Sequence, residues 1–101
     1  MDNTLSGKQR RYLRGLAHHQ RPIVQVGQAG ISDGLLGAID EALRDHELIK
    51  VKLASGESKQ ADAAQIAAAC AAEVCGLAGR TVILYRRHPE NPKVNIDPPR
   101  R

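Results

Sequence analysis

The sequence predicts an α/β fold: a single domain with elements in the order α-β-α-β-α-β-β and a mixed four-stranded sheet carrying three packed helices. Three observations predict it. Amphipathic stretches of helical period alternate with short apolar runs, the pattern of strand–helix–strand units with right-handed crossovers. Gly79-Arg80 separates the last two apolar runs by a two-residue loop, which closes the chain with an antiparallel hairpin. The 101 residues fit one domain, and 42% of them are hydrophobic, almost wholly Leu, Ile, Val and Ala.

Residues 6–18 read as the first helix, opened by the capping-box pair Ser6 and Gln9. The helical period places Tyr12, Leu13 and Leu16 on one arc. It places Arg10, Arg11, Arg14 and His18 on the opposite arc, a cationic outer face suited to tracking phosphates. Arg21-Pro22 leads into a strand over residues 23–26. Ser32 is a good N-cap for a helix over 33–46 whose buried stripe is Leu35, Leu36, Ile39, Ala42 and Leu43. Asp40, Glu41, Arg44 and Asp45 then face water, and His46 is a structural residue of the last turn.

Alternation over residues 48–53 makes a strand with Ile49, Val51 and Leu53 toward the core and Lys50 and Lys52 the other way. An alanine-rich helix over 58–71 contacts the sheet through Ala63, Ile66, Ala67 and Cys70. The strand over 74–78 contains Gly76, a weak point or a bulge. Residues 81–86 form the last and most apolar strand. Pro89, Pro92, Pro98 and Pro99 follow among charges, so the chain divides into a domain over 1–87 and an extended or mobile Pro/Arg-rich tail over 88–101.

Function is first visible at Gly27-Gln28-Ala29-Gly30. A strand, a GxxG turn and a helix start in that order let an anion approach the backbone near unpaired N–H groups. No acidic residue lies between Asp2 and Asp33, whereas Lys8, Arg10, Arg11, Arg14 and Arg21 do. The net charge of +4 and a pI near 9.4 favour a polyanionic partner. With only Tyr12 and Tyr85 as aromatics, the chain lacks the ring platforms on which many RNA binders stack bases. It is expected to grip RNA by its backbone and shape, through Gly27, Gln28, Ala29, Gly30, Lys8, Arg11, Arg14, Arg21, Lys50 and Lys52. The rival reading is a module that docks a basic ribosomal protein through Asp40, Glu41 and Asp45.

Catalysis is not expected. The GxxG turn lacks a Walker lysine and the longer dinucleotide fingerprint, and no nucleophile–base set shows motif spacing. Cys70 and Cys75 are too few for a disulfide framework, and His18, His19, His46 and His88 are scattered, so neither metal nor cofactor is expected. The cysteines suit a reducing cytosol. With no signal peptide and no apolar run near 18 residues, the expectation is a cytoplasmic monomer.

The turn Gly27-Gln28-Ala29-Gly30-Ile31, the run from His46 to Lys52 and the closing stretch from Gly79 to Arg86 resemble the CRM domain (chloroplast RNA splicing and ribosome maturation). The opening stretch from Leu5 to His18 fits the same pattern. The chain is similar in particular to the bacterial stand-alone, YhbY-like RNA-binding members, over roughly residues 5–87. The resemblance implies RNA binding, association with precursors of the large ribosomal subunit, and a fold similar to the C-terminal domain of translation initiation factor three. It maps the family's GxxG loop onto Gly27, Gln28, Ala29 and Gly30, and its basic surface onto Lys8, Arg11, Arg14, Lys50 and Lys52. One departure is that Gln28-Ala29 carries no cation, so the loop must act through its N–H groups and its glycines.

Overall fold

A computed structural model describes residues 5–27 and 29–96. The elements are α1 (Gly7–Ala17), β1 (Val24–Gln25), α2 (Asp33–His46), β2 (Leu48–Lys52), α3 (Lys59–Cys70), β3 (Glu73–Ala78) and β4 (Thr81–Tyr85). The strands form one mixed sheet in the order β1-β2-β4-β3. β1 is parallel to β2, and β4 runs antiparallel to both β2 and β3. The predicted fold class is therefore the observed one. Both crossovers, through α2 and then α3, step in the same direction along the sheet. Right-handed connections then place both helices on one face.

Local chemistry sets the boundaries. Ser6 caps α1 with the full capping box, and Ser32 Oγ accepts from Leu35 N at the start of α2. α3 ends at Ala71, which takes the left-handed conformation at φ 53, and Ala72 N donates back to Ala67 O. Gly79 supplies the positive φ of the hairpin turn. The first strand has its regular core at Val24 and Gln25, and the ladder reaches the expected limits: Ile23 N and Val26 N donate to Lys50 O and Lys52 O of β2, with Ile23 51% exposed at this sheet edge.

The strands feed two cores of opposite parity. Ile49, Val51, Leu53, Val82 and Leu84 pack with Ile39 and Leu43 of α2 and Ala63, Ile66 and Cys70 of α3. On the other face Leu48, Ile83, Tyr85 and Cys75 pack with Leu13 and Ala17 of α1. The α1 arc thus differs from the wheel reading: Ala17 is buried while Leu16 is 39% exposed. Arg10 and Arg14 sit on the flank of α1 that meets β3, Arg10 half-buried and Arg14 still exposed. Arg10 pairs with Glu73, and Arg14 donates to Cys75 O, both on β3.

The stretch over 88–96 carries no helix or strand, and it is held down. Glu47, the residue after α2, is 1% exposed, and its carboxylate accepts from the backbone N–H groups of His88, Lys93 and Val94. Val94 and Ile96 then pack against the α1-side core. Burial is the largest single influence on Glu47 and acts to raise its pKa. The three N–H donors together act more strongly and leave the carboxyl below its ordinary 4.5. Glu47 also sits at φ 64, a conformation that side-chain-bearing residues avoid, so the surrounding contacts hold it there at a cost of about 1–3 kcal/mol.

Because the folded pKa is depressed, the Glu47 contribution is present above 4.5 and is lost as pH falls through the folded value. Glu47→Gln should lower stability near neutral pH by roughly 2–3 kcal/mol, the scale of hydrogen bonds to a charged group. The gap to wild type should narrow in acid. Thermal unfolding at about pH 7 and about pH 3 checks this; a gap that stays constant would show that the charge is not what holds the strap.

Candidate nucleic-acid interface

The carboxyl ends of the three mutually parallel strands β1, β2 and β3 meet at one end of the sheet, the usual position for ligands on such sheets. The residues 27–30 turn, the loop after β2 and the Gly79-Arg80 hairpin all lie there. Arg80 is fixed at this end: its backbone carbonyl accepts from Leu53 N and its guanidinium donates to Ala54 O. Sequence reasoning passed over Arg80 as a turn residue. Both α2 and α3 begin at this end, so the positive poles of two helix dipoles point toward it.

The turn itself is closed by Gly30 N donating to Gly27 O at 3.0 Å, and Ala29 is exposed. Gln28 lies outside the described residues. Only one glycine of the pair needs to be one for conformational reasons. Gly30 has φ 79, whereas Gly27 has no positive φ, and a Cβ there would meet nothing within 4 Å. At the start of α2 the N–H groups of Leu35 and Leu36 are taken by Ser32. Those of Asp33 and Gly34 have no acceptor among the described residues, but the Asp33 carboxylate stands beside them and disfavours a second anion. Asp33 is thus a rival for any anion that approaches the start of α2.

The cationic face is correspondingly more prominent. Lys50 and Lys52 have the parity of Leu48, so they lie on the α1 face, and Lys50 Nζ reaches His18 O at 3.4 Å at the end of α1. Lys8, Arg11 and Arg14 project from α1, which carries no acidic residue, and exposed Arg21 follows in the connector to β1. None of Lys8, Arg11, Arg14, Arg21, Lys50 and Lys52 has a carboxylate partner among the described residues.

The opposite face is acidic but smaller than expected. Asp40 does not simply face water: it accepts from Arg86 and Arg44, and the Arg86 hydrogen bond is the main reason its pKa is lowered. Arg86 also donates to the backbone carbonyls of Asp40 and Cys70, so it is a structural tie between α2 and α3 rather than a loose tail cation. Glu41 and Asp45 remain exposed, as does His46.

Both cysteines are free and buried, and burial pushes the Cys75 thiol up to about 11, far from a reactive thiolate. Among the described residues no group of three or more His, Cys, Asp or Glu gathers as a metal site. No described helix is long and apolar enough to cross a membrane.

Residues 5–86 match the CRS1 / YhbY (CRM) domain, and the chain belongs to that family. Among curated proteins it is 44% identical over 85 residues to the RNA-binding protein of Haemophilus influenzae, spanning 82% of this chain and 86% of that one. It is 37% identical over 94 residues to a Bacillus subtilis protein named Probable RNA-binding protein YqeI, spanning 91% and 98%. The fold matches the solution structure of the hypothetical protein SAV1595 from Staphylococcus aureus with a TM-score of 0.81 and 36% identity, over 91% of this chain and 98% of that one.

The two glycines should separate on substitution. Gly30→Ala forces a Cβ into a positive-φ position and should cost about 1–2 kcal/mol, whereas Gly27→Ala should stay within about 0.5 kcal/mol of wild type. Chemical denaturation of the two variants measures the difference, and equal effects would contradict the turn geometry.

Proposed function

We propose that this protein binds RNA on the α1 face and assists assembly of the large ribosomal subunit by gripping precursor RNA. One observation carries the reading. Six cations (Lys8, Arg11, Arg14, Arg21, Lys50 and Lys52) lie on α1, in its connector and on the α1 side of β2 without carboxylate partners among the described residues. The acids of α2 and α3 lie on the other face. Long, uncompensated cations on one face suit the sugar-phosphate backbone, which is bound by position rather than by base sequence. The names of the bacterial relatives support RNA as the partner. The large-subunit precursor is what membership of the family implies.

In this reading Lys50 and Lys52 hold one stretch of backbone against the end of α1. Arg11 and Arg14 extend the track along the helix. The turn at Gly27–Gly30 admits a phosphate near the start of α2 and contributes less than the lysines, because Asp33 opposes it. The protein acts as a cytoplasmic monomer that binds and does not catalyse.

The test is binding of a structured fragment of large-subunit ribosomal RNA across a salt series. Lys50→Ala/Lys52→Ala should flatten the log–log salt dependence by about 1.4–1.8 units, one released counterion for each lysine. Glu41→Lys/Asp45→Lys on the opposite face should not weaken it. If the lysine pair binds with the slope of wild type, the face is wrong. If the α2 reversal alone abolishes association with subunit precursors while naked RNA still binds, the acidic face docks a protein instead.

A further inference from the structure

We infer that Gly76 and the bulge it adjoins form a seat that holds Arg14 in one geometry as an RNA-contacting residue. The inference rests on the RNA-binding reading above. β3 pairs with β4 in register at Val74 and again at Gly76, and the register slips between them, so Cys75 is the extra residue. A bulge leaves a carbonyl out of the ladder. Here the Cys75 carbonyl accepts from Arg14 Nη1 at 3.3 Å.

Gly76 supplies the space. Its φ is not positive, so its backbone does not require glycine. A Cβ built on it would instead lie 2.7 Å from Arg14 Cδ and 3.2 Å from Arg14 Cγ, with Ile83 Cδ1 next at 3.3 Å, so Arg14 is the neighbour that must move furthest. The aliphatic part of Arg14 lies across the strand where any other residue would put a side chain. Oε1 of the neighbouring Glu73 accepts from Arg10 and from Leu5 N, and Arg14 makes no ion pair among the described residues. One guanidinium edge is anchored to a carbonyl, and the other N–H groups remain for a ligand. An arginine held this way offers a planar fork suited to a phosphate and loses less side-chain freedom on binding than an unanchored one.

Four proteins test the seat: wild type, Arg14→Ala, Gly76→Ala and the double variant, each titrated with the same ribosomal RNA fragment over salt and melted to confirm folding. Arg14→Ala should flatten the salt slope by about 0.7–0.9 units. Gly76→Ala keeps every charge, yet its affinity should fall toward that of Arg14→Ala, and the double variant should bind no worse than Arg14→Ala alone. The double variant should also melt no lower than Gly76→Ala, because removing Arg14 makes room for the new methyl.

If Arg14→Ala weakens binding but Gly76→Ala binds like wild type, the seat is overturned and the RNA face stands. If Arg14→Ala is silent while the lysine pair matters, the seat is again overturned. If neither these variants nor the lysine pair alters binding, the RNA is held on another face and the seat is overturned with it; if wild type does not bind the fragment at all, the RNA-binding reading itself fails. Should Gly76→Ala not fold, Arg14→Lys decides. It keeps the charge on a flexible stem, so lower affinity at an unchanged salt slope supports the seat, and wild-type affinity overturns it.

Discussion

A sheet buried on two faces needs two covers, and this chain has helices enough for about one and a half. α2 and α3 close one face with Ile39, Leu43, Ala63 and Ile66. On the other face α1 alone lies over Leu48, Cys75, Ile83 and Tyr85. The remainder of that face is finished in two different ways. At the Leu48–Tyr85 end, Glu47 gathers three backbone N–H groups and pulls Val94 and Ile96 over the apolar surface. At the other end, the same parity of β2 turns polar, and Lys50 and Lys52 occupy positions that apolar residues would otherwise need a further cover to hide. The face proposed to bind RNA is thus the part of the sheet left without a lid.

Much of this was legible in the sequence. The caps at Ser6 and Ser32 and the alternation over 48–53 depend on residues close in the chain, and local rules find them. So does the Gly79-Arg80 loop. The misreadings concern partners that lie far apart. Arg10 and Arg14 looked like an outer arc because a helical wheel gives angular position but not which flank meets β3; Glu73 and Cys75 are more than sixty positions away. Asp40 looked solvated because Arg86 is 46 residues distant. Glu47 gave almost no signal, since its partners are backbone N–H groups, which every residue but proline possesses.

The candidate site was legible in its charges more than in its geometry. Strand parity alone turned Lys50 and Lys52 away from the core formed by Ile49, Val51 and Leu53, as the structure has them. The GxxG turn was read as a matched pair of permissive glycines, whereas only Gly30 uses positive φ and Gly27 sits in open space. Nor could the motif show that Asp33 occupies the first turn of α2 as a competing anion. Arg80 was missed because a turn residue is ordinarily read for its backbone, and its guanidinium is fixed only once Ala54 O is brought beside it.

The strap that Glu47 holds has an architectural consequence. Leu5 and Ile96, the first and last described residues, belong to the same apolar cluster, at the end of the sheet away from the residues 27–30 turn. Among the described residues the chain therefore enters and leaves at one pole, away from the opposite end of the sheet. Copies of such a unit could be strung along one polypeptide like beads, or joined to an unrelated partner on either side, with the connections gathered at a single pole of the sheet.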